Sequence, residues 1–67
     1  MAKYSRTSWS RLYYAATEAE LKGDYYHALI LWNQAQYVAN LSINRRYAEA
    51  KSEACKLKLN INVINIS

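Results

Sequence analysis

The chain has no proline, no phenylalanine, one glycine, one cysteine and one histidine among its 67 residues. Without proline, and with only Gly23 to loosen the backbone, few positions can interrupt a helix, so polar capping residues must mark the boundaries. Cys55 has no second cysteine to pair with, which agrees with a reducing compartment. Together with His27 it falls short of the three or four ligands of an ordinary zinc site, and no carboxylates are spaced to complete one. His27 three residues after Asp24 reads as a cap and surface residue. Cys55 reads as a small buried hydrophobe, although Lys51 one turn before it makes a lowered pKa conceivable. No glycine-rich phosphate loop and no nucleophile with a base nearby by motif occurs. These absences predict no metal, no cofactor and no enzyme.

Long apolar runs are missing as well. Ala28 to Trp32 falls far short of the roughly 20 residues that a membrane span needs, so no membrane helix is expected. The start, "MAKYSRTSWSR", carries positive charge without the apolar core of a secretory signal, and the expected location is the cytoplasm.

What is present is apolar and aromatic. Hydrophobic residues make up 52% of the chain and include seven Tyr and two Trp, too many for a disordered segment. A chain of this size buries only about 60% of the surface its unfolded form exposes, so it is expected to fold as one domain, residues 1–67, in company. The net charge of +4 permits attraction to nucleic acid or to acidic protein surfaces. Lys3, Arg6 and Arg11 load the start, and Arg45, Arg46, Lys51, Lys56 and Lys58 load the end. Glu49 and Glu53 interleave the later positives, the pattern of a solvated helix face.

Capping signals divide the chain into three helices, at about 8–22, 25–40 and 44–58. Ser8 opens the first, Gly23 stands where a left-handed C-cap is wanted, Asp24 caps the second and Asn44 the third. The short Lys22-Gly23-Asp24 link requires the first two helices to fold back antiparallel. "LNINVINIS" alternates like a strand but has no partner strand, and residues 59–67 read as a frayed tail. The expected fold class is all-α: an antiparallel helical hairpin plus a third helix, self-associating.

At about 100° per residue, Trp9, Leu12, Ala16 and Ala19 form one stripe, and Tyr25, Ala28, Trp32, Ala35 and Ala39 form another. These face one another inside the hairpin. Tyr47, Ala50, Ala54 and Leu57 give the third helix a stripe of its own. The second helix also carries apolar residues on its back, where Tyr26, Ile30 and Tyr37 lie within about 40° of one another and Leu29 flanks them. Tyr14 and Leu21 repeat the theme on the first helix. One hairpin partner cannot cover a helix that is apolar nearly all round, so this surface is expected to meet a partner or a second copy.

Three binding classes fit. Arg45 and Arg46 could begin a recognition helix of a small basic DNA-binding regulator, although the turn before them lacks glycine and Glu49 and Glu53 share their solvent face. A helical module presenting an apolar ridge to a partner protein is the second, and a non-regulatory subunit of a helical assembly the third. Gly23, Tyr26 and Ala35 also match part of a tetratricopeptide unit, but no 34-residue self-similarity exists and such units need about three copies.

The run from Tyr13 to Cys55 resembles the ANR family, small bacterial negative regulators of AraC/XylS-type transcription activators. The matching points are Ala15-Ala16 with Glu18, the Gly23-Asp24-Tyr25 turn, then Ala28, Trp32, Ala35 and Ala39, and finally Asn44, Tyr47-Ala48 and Cys55. The resemblance implies a small, self-associating helical anti-activator that binds an AraC-type activator directly and prevents it from dimerising or engaging its promoter. It also implies a setting in virulence or colonisation gene control. The segment "NINVINIS" lies outside the resemblance.

Overall fold

A computed structural model describes the backbone of residues 2–66 and the side chains of residues 9–60. The chain is all-α, with α1 (Ala2–Leu21), α2 (Tyr25–Val38) and α3 (Ser42–Ile66), and no strand occurs among the described residues. Among them, too, no helix is long and apolar enough to cross a membrane.

Two helices are longer than the capping signals predict. α1 begins at Ala2 instead of Ser8, and α3 continues past Lys58 to Ile66, so most of the expected frayed tail is helical; Ser67 lies outside the described residues. Neither stretch contains a Pro or Gly to stop a helix, and Ser, Thr, Asn and Ile each cost only a few tenths of a kcal/mol relative to better formers. Asn44 is not the cap of α3. It sits in the first turn, half-buried, while the Leu41 carbonyl accepts the Arg45 amide at 3.0 Å.

The link between α1 and α2 is a glycine-terminated cap joined directly to an aspartate cap. Gly23 adopts φ +78°, its amide bonds the Glu20 carbonyl at 2.9 Å, and the Asp24 amide bonds the Ala19 carbonyl at 2.8 Å. This pair of bonds satisfies carbonyls that the end of α1 would otherwise leave open. A Cβ on Gly23 would meet nothing within 4 Å, so Gly23→Ala is opposed by the left-handed backbone alone, at about 1–2 kcal/mol. Urea denaturation should show that loss, with Gly23→Asn milder; an unchanged midpoint for Gly23→Ala would contradict the assignment.

Asp24 opens α2, accepting the His27 amide at 3.3 Å and His27 Nδ1 at 2.8 Å. The side-chain bond from His27 is the main reason the Asp24 carboxyl lies below its ordinary value of 3.8. A depressed carboxylate contributes its stability above the unfolded value and loses it as pH falls through the folded one. Asp24→Asn should therefore flatten the acid side of a stability profile below about pH 4, read by thermal melts across that range.

α2 lies at the centre and packs against both other helices. Trp32 is wholly buried, and the rings of Tyr13 from α1 and Tyr47 from α3 stand edge-on to it, with centroids 5.8 and 5.5 Å away. Ala16, Ala28, Ala35, Ala48 and Cys55 complete the core and keep the backbones close around the one large ring. Trp9, Leu12, Ala19 and Tyr25 are half-buried against this core, and Ala39 is buried.

The inward face of α3 differs from the expected stripe. Ala48, Ser52 and Cys55 are buried, whereas Ala50, Ala54 and Leu57 are exposed and Tyr47 is half in water with its ring on Trp32. Trp32 fills the space opposite α3, so small side chains face it and the longer Leu57 turns outward.

Candidate interaction surface

The outer side of α2 carries an apolar ridge that exposed Asn33 and Gln34 interrupt before Tyr37. Tyr26, Ile30 and Tyr37 are 60%, 38% and 92% exposed. They lie opposite Ala28, Trp32 and Ala35, because the spacings of four and seven residues return to one side of a helix. Tyr37 stands between two grooves. On one side Arg11 and Leu12 of α1 meet Gln34 and Val38 across about 430 Å³. On the other, Asn33 and Gln36 meet Arg45 of α3 across about 500 Å³. Gln36 Nε2 donates to Asn33 Oδ1 at 3.2 Å and so fixes the amides beside the tyrosine.

The remaining residues expected on this surface are dispersed. Leu29 is half-buried and packs on the core. Tyr14 and Leu21 are 71% and 84% exposed, but Tyr14 lines a third groove, of about 490 Å³, between α1 and α3. Trp9, Tyr13, Ile43 and Tyr47 share that groove with it. Ile43 and the neighbouring Leu41 are exposed apolar residues that sequence reasoning took for part of a connector. Their signal was modest: two branched aliphatics in the "LSI" triplet between helices.

A polar cluster ties the three helices together beneath these surfaces. Glu20 of α1 accepts Trp32 Nε1 of α2 at 2.5 Å and Lys51 Nζ of α3 at 2.9 Å, and Cys55 Sγ lies 4.0 Å from it. The hydrogen bond to Glu20 raises the Lys51 pKa above 10.5, against a smaller opposing effect of burial. Burial, and then the Glu20 charge, push the Cys55 thiol up, so Lys51 and Lys58 do not make it a reactive thiolate. Sequence reasoning passed over Glu20. Its position was nonetheless visible, since Trp9, Tyr13, Ala16 and Glu20 are spaced 4, 3 and 4, the repeat of an inward face.

Among the described residues, no three His, Cys, Asp or Glu side chains converge to hold a metal ion. The surfaces built by these elements are an arginine-flanked ridge on α2 and an aromatic groove between α1 and α3. No family model, no curated protein and no solved structure matches the chain.

Proposed function

We propose that the chain is a negative regulator of transcription that binds an AraC/XylS-type activator directly and blocks its dimerisation or DNA binding. The observation that carries this reading is the α2 ridge: a helix whose inner side forms the core keeps Tyr26, Ile30 and Tyr37 in water on its outer side. Tyrosines supply large contact area at little entropic cost and are enriched among residues that dominate binding. The resemblance of Tyr13 to Cys55 to the ANR family supports the choice of partner. In this reading the protein works in the cytoplasm, without cofactor or catalysis, as a homodimer or a higher self-association, in the control of virulence or colonisation genes.

Co-purification with the AraC-type activators of the same genome tests it. A complex with at least one is expected. Replacing Tyr26 and Tyr37 by Ala should weaken it by on the order of 2 kcal/mol, about thirtyfold in Kd. A folded protein that captures none of these activators would refute the reading. Exposed Arg45 and Arg46 at the start of α3 favour a second reading, a small DNA-binding regulator. It requires duplex affinity that falls steeply with salt and disappears in Arg45→Glu/Arg46→Glu.

A further inference from the structure

We infer that the α2 ridge takes a helical segment of a partner protein in which an apolar stripe is flanked by carboxylates. The inference rests on the proposed function only in taking the partner to be a protein. Charge distribution carries it. The chain holds nine Lys and Arg against five Asp and Glu, and all five acids lie among the described side chains. Four are already engaged, Glu18 with Lys22, Glu20 with Lys51, Asp24 with His27 and Glu53 with Lys56. Arg11 and Arg45 line the grooves on either side of Tyr37, and no acid lines either groove. The fifth acid, Glu49, is exposed one turn beyond Arg45 on α3 and lines neither groove, so at its Tyr37 end the ridge carries positive charge on both flanks that its own grooves do not compensate.

The apolar middle sets the shape of the occupant. From Tyr26 to Tyr37 the ridge extends about 16 Å, the length of three helical turns. A partner helix with anchors at i, i+3 or i+4 and i+7 spans that distance and brings its flanking positions over the two arginines. Parallel pairing with a second copy fits poorly here, because it would set the arginines beside Tyr37 of one copy against those of the other, and like charges across an interface are costly. A dimer in sedimentation that is lost in Tyr37→Ala would make a second copy the occupant and overturn the inference. Nucleic acid fits poorly as well, because duplex affinity scales with the number of phosphates neutralised, and this face offers two arginines around an apolar crest and neutral amides.

Peptide display tests the inference independently of any activator. The probe is a library of 16-residue helical peptides with a fixed Leu stripe and flanking positions free to be Glu, Lys or Gln, sorted against the full chain. Glu at the flanks is expected to be enriched, and Glu-flanked peptides should bind at least about tenfold more tightly than their Lys-flanked counterparts. With Arg11→Glu/Arg45→Glu the preference should invert to Lys, and with Arg11→Gln/Arg45→Gln it should vanish, each variant first shown to be folded by circular dichroism. The absence of binders, equal enrichment of Glu and Lys, or a Glu preference unchanged by the arginine variants would overturn it. So would binding lost in Tyr14→Ala and kept in Tyr37→Ala, or competition by duplex DNA with no preference among the peptides. Such a failure leaves activator capture untouched, and failure of activator capture leaves a positive peptide result standing.

Discussion

Trp32→Ala is expected to unfold the protein or leave it molten. Removing a fully buried tryptophan costs about 3–5 kcal/mol, from lost burial and from the cavity left behind. A domain of 67 residues has a total stability of only roughly 3–10 kcal/mol at ordinary per-residue values. The surroundings have little means to collapse. The ring's neighbours include Tyr13 and Tyr47, held edge-on, the Lys51 ammonium 6.0 Å from its centroid, and alanines that have nothing to extend into the gap. Trp32→Phe separates two contributions: it keeps most of the volume but removes the Nε1 donor to Glu20, and should fall between wild type and Ala. Urea titration followed by far-ultraviolet circular dichroism reads both. A Trp32→Ala protein with the wild-type midpoint would show that the ring does not hold the three helices together.

The inner face of α2 could be read in advance because Ala28, Trp32, Ala35 and Ala39 keep a 4, 3, 4 spacing that matches the stripe facing them on α1. The Gly23-Asp24 link was legible for a similar reason, since left-handed glycine and capping aspartate are chemically singular. The inward face of α3 was not. Ala48, Ala50 and Ala54 are equally small, and the choice among them depends on Trp32, which lies on another helix. The helix ends escaped because helices also extend where nothing stops them, as from Ala2 to Ser8 and from Leu59 to Ile66. Tyr14 and Tyr37 looked alike as outward tyrosines. Only the placement of α3 assigns one to an aromatic groove and the other to an arginine-flanked ridge. Glu20 was hidden by its own chemistry, because a glutamate at an inward position reads as an error in the pattern until its partners on two other helices are known.

Those partners make Glu20 the second position where a single change should act strongly. Glu20→Ala leaves Trp32 Nε1 buried without an acceptor, at about 1–3 kcal/mol, and frees the Lys51 ammonium to turn toward solvent, which limits that share of the loss. Glu20→Gln is milder, because its amide oxygen still accepts from Trp32. The two effects of the carboxylate separate with pH. Lys51 is raised above 10.5 by its bond to Glu20, so that part of the stability is fully present below the unfolded value and is lost as pH climbs through the folded one. Wild type should therefore weaken on the alkaline side of about pH 10, whereas Glu20→Gln, whose Lys51 has no anionic partner, should show a flatter profile there. Lys51→Met should flatten it in the same way while keeping the bond between Glu20 and Trp32. Urea midpoints at neutral and alkaline pH for the three proteins provide the comparison. Identical alkaline losses in all three would mean that the Glu20–Lys51 contact contributes nothing, and a Glu20→Ala protein as stable as wild type would mean that the buried indole finds another acceptor.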